Sequence, residues 1–202
     1  MRIVTAKRED ASLIADAILA AVGDDIVDHL AGDLHTRDDV HGIFARLAAS
    51  DDTQYSYLNS RIALDDSGSP MGVCVSYDGA DLKRLRRPFF REANELLGWG
   101  MTDEEIENVP GETDSDEFYL DTLMVLPEYR RRGVAGALIA DAARKAEAAG
   151  KPLGLLCDTD NDNARHLYDK SGFRPVGLRP FAGHDMTHMQ LNPAIPSNPL
   201  KV

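Results

Sequence analysis

The spacing of hydrophobic positions along this chain changes several times, and each change marks an element. The stretch 2–5 reads as a short strand. Asp10 is placed to cap a helix whose apolar residues Leu13, Ile14, Ala17, Ile18 and Ala21 keep helical spacing. Val40, Ile43, Phe44 and Leu47 predict a second helix over about Arg37–Ala48. Apolar runs at 61–64 and 71–77 flank Asp65-Asp66-Ser67-Gly68-Ser69-Pro70, a cluster of turn formers, so they read as a hairpin. Between 78 and 116 the pattern turns helical again at Leu82, Leu85, Phe89, Ala93, Leu96 and Leu97, with Pro88 breaking or restarting the helix. The acidic segments Asp103-Glu104-Glu105 and 110–117 read as loop. The whole stretch is too short to bury its own core and is taken as an insertion between two strands.

The second half is more regular. Phe118–Val125 is rich in apolar and aromatic residues and predicts a central strand. It leads through Leu126-Pro127-Glu128-Tyr129 into three arginines, then a long helix. That helix has Ala135, Leu138, Ile139, Ala142 and Ala146 on one face, Asp141, Arg144, Lys145 and Glu147 on the other, and ends at Gly150. A buried strand at 153–157, a short helix at 163–170, a strand after Gly172 and a last strand at 186–191 complete the order. Strands and helices mixed in this way predict an α/β or α+β domain over 1–191, with the 78–116 insertion and a proline-containing tail at 192–202.

The junction between the strand ending at Val125 and the helix opening near Gly133 carries the chemistry. A helix N-terminus leaves main-chain N–H groups unpaired and carries partial positive charge. Gly133, Ala135 and Gly136 let a ligand approach that backbone, and Arg130, Arg131 and Arg132 add fixed charge. A phosphate-bearing ligand, most naturally a pyrophosphate, fits such a place. No Gly-Lys-Ser/Thr follows, which excludes a Walker loop, and the Gly-x-Gly-x-x-Gly order is absent.

Here the sequence resembles the GNAT N-acetyltransferases. Arg130-Arg131-Arg132-Gly133-Val134-Ala135 matches their Arg/Gln-x-x-Gly-x-Gly/Ala signature. Asn161, Ala164, Leu167, Tyr168, Gly172 and Phe173 match the Asn-x-x-Ala-x-x-Leu-Tyr-x-x-x-Gly-Phe pattern that closes the family core. Strong agreement spans roughly 120–177. The resemblance implies a mixed, twisted sheet with helices on both faces and a splayed central cleft. It implies acetyl-CoA as co-substrate and direct attack of a primary amine on the thioester. By the same carry-over the main chain of Leu123, Met124 and Val125 pairs with the pantetheine arm, and the N–H groups from Arg131 through Gly133, Val134 and Ala135 to Gly136 hold the pyrophosphate. Side chains of Arg130 or Arg132 are expected to assist. Asn161 is expected either to contact the cofactor arm or to cap a helix. Tyr168 is the candidate general acid, with a core aromatic as the plainer reading. Alternation puts Asp121 on the face of Leu123 and Val125, with Tyr119, and with Glu117 if the strand begins that early, and makes Asp121 the candidate general base.

Composition changes this picture little. A net charge of −12 disfavours nucleic acid and mildly favours a small, cationic acceptor. No apolar run is long enough to span a bilayer and no secretory signal is legible, so a cytoplasmic protein without membrane attachment is expected. Cys74 and Cys157 read as reduced, buried thiols. His184 and His188 are expected at the surface or in the substrate pocket, and no metal site is expected. A homodimer is compatible with the sequence. Two other classes stay open: a non-catalytic acyl-CoA sensor with this fold, and a nucleotide-binding protein using the arginine loop.

Overall fold

The computed structural model describes residues 1–181 and 183–192, leaving aside the side chain of His184. The expected tail beyond Asn192 lies outside the described residues. Among the described residues seven strands form one sheet: β1 (Arg2–Thr5), β2 (Ser60–Leu64), β3 (Pro70–Asp78), β4 (Phe118–Val125), β5 (Leu153–Asp158), β6 (Arg174–Phe181) and β7 (His184–Leu191). Their order across the sheet is β1-β2-β3-β4-β5-β7-β6. Every pairing is antiparallel except β4 with β5, which is parallel.

The helices are α1 (Ala11–Val22), α2 (Asp24–Ala31), α3 (Arg37–Ala48), α4 (Leu82–Leu85), α5 (Arg87–Leu97), α6 (Asp103–Asn108), α7 (Val134–Ala148) and α8 (Asp162–Lys170). They cover both faces. α1 and α3 bury Ile14, Ile18, Ile43 and Leu47 against Ile62, Val73, Val75 and Met124. On the opposite face α7 buries Leu138, Ile139 and Ala142 against Ala63, Cys74, Leu120 and Leu155. Alternation along β3 explains the division, because successive side chains of a strand point to opposite faces. No helix is long and apolar enough to cross a membrane among the described residues.

The hairpin of β2 and β3 forms as expected, and Asp65 holds its turn by accepting from Ser67 and Ser69 main-chain N–H groups. Pro88 falls in the first turn of α5, where its missing N–H costs nothing, so the helix restarts there. Two helices exceed the expectations. α2 fills the stretch before Arg37, and α6 stands where an acidic loop was expected. Thr102 and Glu105 cap α6 reciprocally, a local signal that the acidic composition hides. The segment between β3 and β4 thus carries three helices, while the two strands that flank it are direct neighbours.

Candidate active site

The centre of the sheet opens at β4. Its pairing with β5 is confined to Phe118 with Leu153 and Tyr119 with Gly154. From Leu120 onward β4 has no strand partner on that side among the described residues, so its main-chain edge there is left unpaired by the sheet. The open stretch includes Leu123, Met124 and Val125. Unpaired strand-edge groups of this kind can take up an amide-bearing chain as an added strand.

A bulge lies at the same place. Val75 stands opposite Thr122, but Ser76 stands opposite Leu120, so Asp121 is an extra residue in β4. This corrects the expectation from alternation, because a bulge adds a residue without turning the later ones over. Leu123 and Val125 pack on the α7 face. Asp121 instead faces Tyr77, on the side of α1 and α3. Its Oδ2 accepts from the Tyr77 hydroxyl at 2.9 Å and its Oδ1 from Thr122 Oγ1 at 2.8 Å. Tyr119, packed on Tyr77 at 5.8 Å, shares that face. Burial pushes the Asp121 carboxyl up to about 7; the charge of Glu112 adds to this, and the Thr122 and Tyr77 hydrogen bonds oppose it. Glu112 and Gln54, which sequence reasoning passed over, lie beside it and are buried.

At the mouth of α7 the chain makes a tight turn with two residues in the left-handed region. Gly133 caps the helix with φ +81°, and Arg131 has φ +62°. A Cβ on Gly133 or Gly136 would meet open space, so the approach is unobstructed. None of the N–H groups of 131–136 reaches a carbonyl at good hydrogen-bond geometry among the described residues. Six successive donors at one helix mouth are left for solvent or ligand. The arginines do not converge there. Arg130 donates to the Val125 carbonyl at 3.2 Å, and the Arg132 guanidinium lies 5.6 Å from the Tyr129 ring centre. On the α7 side, Tyr168 packs on Phe173 at 5.6 Å, and its hydroxyl makes no hydrogen bond among the described residues. Burial raises its pKa, and the nearby Cys157 and Cys74 thiols add to the effect.

The Acetyltransferase (GNAT) family profile matches residues 38–173. The chain belongs to the GNAT acetyltransferase family. A crystal structure of an acetyltransferase is 28% identical, covers 96% of this chain and 100% of its own, and superposes with a TM-score of 0.72. An N-acetyltransferase from Staphylococcus aureus Mu50 shares 22% identity over 95% of this chain and 100% of its own, with a TM-score of 0.74, a likeness of fold. No curated protein matches by sequence.

Other residues of this GNAT chain meet expectation in part. Asn161 is the N-cap of α8: its Oδ1 accepts from the Ala164 N–H at 3.0 Å, which is the capping reading. Cys74 and Cys157 are free and buried, and burial pushes their thiols up to about 12 and about 11, so neither is a ready nucleophile. His188 is neither at the surface nor in an open pocket. It is buried on β7, with Nε2 2.9 Å from Glu117 Oε2. Glu117 is fully buried just before β4 and also accepts from Gln190, Thr113 and the Asp114 N–H. Its burial alone would raise its pKa, but these four hydrogen bonds outweigh that and hold it at about 2. Gly154 faces it, and any Cβ there would collide with the carboxylate. Asp114, Glu117 and His188 approach one another closely, yet hydrogen bonds already saturate Glu117.

Proposed function

We propose that this chain transfers an acetyl group from acetyl-CoA to the primary amine of a small acceptor by direct attack. The observation that carries the reading is the run of six unpaired N–H groups at 131–136, continuous with the open edge of β4. The first suits a pyrophosphate and the second an extended, amide-bearing arm. Leu123, Met124 and Val125 would hold that arm by main chain, and Arg131, Arg132, Gly133, Val134, Ala135 and Gly136 the diphosphate. Arg130 acts indirectly, by fixing the end of β4. Asn161 serves by starting α8, which sets Tyr168.

In this reading the two faces of β4 divide the work. Asp121, on the α1 and α3 side, takes a proton from the acceptor's ammonium, because only the neutral amine is a nucleophile. Tyr168, on the α7 side with its hydroxyl uncommitted, gives a hydrogen bond or proton to the departing thiolate. The acceptor is proposed to be cationic, given the two carboxylates on its side and the acidic chain as a whole. The test is free-thiol release with acetyl-CoA and a panel of amines, beside acetyl-CoA binding by calorimetry. Amine-dependent release supports the enzyme. Binding without release supports an acyl-CoA sensor, and failure to bind removes both.

A further inference from the structure

Asp121 and Glu112 meet across one tyrosine. The Tyr77 hydroxyl lies 2.9 Å from Asp121 Oδ2 and 3.2 Å from Glu112 Oε1. A phenol has one hydrogen to donate. Once it is given to one carboxylate, the phenol oxygen faces the other lone pair to lone pair, unless that second carboxyl carries a proton. Gln54 lies beside the pair, 4% exposed, and its Nε2 donates to Glu112 Oε1 at 3.3 Å. One proton on the two carboxyls completes both Tyr77 contacts: Tyr77 gives its hydrogen to one carboxylate and accepts the hydrogen of the other.

We infer that Asp121 and Glu112 share a single proton through the Tyr77 hydroxyl, and that this shared position is where the acceptor's proton goes. The second clause rests on Asp121 being the base; the first does not. The exchange balances simply. The ammonium loses one proton and becomes the neutral amine, the dianionic pair gains that proton and becomes a monoanion, and the pair then releases it to water. Glu112 is a positioning residue, acting through Asp121.

The surroundings favour sharing. Tyr55, Tyr119 and Thr122 face the pair, and Glu117 adds a further negative charge near Tyr119. Buried Arg86 supplies the cation near Glu112, but its donors go to the carbonyls of Ile106, Val109 and Pro110. Burial raises the Glu112 pKa as it does that of Asp121. Two buried like charges this close ionise in separate steps that belong to the pair.

The experiment is infrared titration of the protonated-carboxyl band in the full chain, wild type and Glu112→Gln, together with the pH profile of kcat/KM for 1,4-diaminobutane. The wild type should show a band that disappears on raising the pH through about 7. In Glu112→Gln the midpoint and the acid limb of kcat/KM should both move down by roughly one unit or more. A wild-type band absent at mildly acid pH, or a midpoint unmoved in Glu112→Gln, overturns the sharing. Should no amine be acetylated, the enzyme reading fails while the infrared result still decides whether the proton is shared.

Discussion

At the residue scale the chemistry turns on where protons sit. Asp121 is raised to about 7, so its base form grows as pH rises, and kcat/KM should climb through that pH. Asp121→Asn should remove this limb and lower kcat/KM by about 10²–10⁴-fold, the usual worth of a positioned acid or base. A profile identical to wild type would exclude Asp121 as the base. For the leaving group, Tyr168→Phe should lower kcat by about 10²-fold and leave acetyl-CoA affinity within a few-fold; an equal loss of affinity would make Tyr168 a packing residue instead. The two buried carboxyls also oppose each other in stability. The Asp121 pKa is raised from 3.8, so its contribution is greatest below that value and is lost as pH rises toward about 7. The Glu117 pKa is depressed from 4.5 to about 2, so its contribution is present above 4.5 and is lost as pH falls through about 2. Glu117→Gln should therefore flatten the acid side of a plot of Tm against pH. It should also lower stability at neutral pH by about 1–3 kcal/mol, because an amide cannot accept all the buried hydrogen bonds that the carboxylate accepts.

At the element scale, legibility follows from how local each cause is. The α7 stripe and the β4 run are written in consecutive residues, and both elements form as read. The bulge at Asp121 is not local: it exists because β3 offers one residue fewer than β4 across the same span, which neither strand's own pattern records. One unpaired residue was enough to move the candidate base to the opposite face from Leu123. The Glu112 and Gln54 partners were equally hidden, since they lie 58 positions apart and meet only in the fold. The capping box of α6, by contrast, was present in Thr102-Asp103-Glu104-Glu105 and was masked by reading acidity as loop. The mouth of α7 offers a test confined to one element. Gly133 has φ +81° with open space around it, so Gly133→Val meets no clash but must adopt a conformation costing about 1–2 kcal/mol. The loop should relax that strain by turning its N–H groups. Acetyl-CoA affinity should then fall by about tenfold, with the KM of the amine nearly constant. Unchanged affinity would move the diphosphate away from this turn.

At the scale of the whole molecule, the order of strands and helices gave the class, α/β or α+β, while the fold within that class was legible only through the motifs at 130–135 and 161–173. What the sequence left open is the acceptor, and the charge distribution bears on that. The chain carries a net charge of −12. The diphosphate reading puts the anionic co-substrate at the main-chain donors of the α7 mouth, while Asp121 and Glu112 lie toward the opposite face of β4. On the proposed reading, a cationic amine would be drawn by both the long-range field and the site itself. Long-range attraction is screened over about 8 Å at 0.15 M salt and about 3 Å at 1 M. For 1,4-diaminobutane, kcat/KM should fall several-fold as salt rises over that range, with kcat at saturation nearly unchanged, because encounter is weakened and chemistry is not. A neutral amine alcohol of similar length, assayed above its own pKa, should show much less dependence. Equal salt dependence for the two acceptors, or faster turnover of acidic ones, would assign the acidic surface to solubility and return the choice of acceptor to the shape of the cleft.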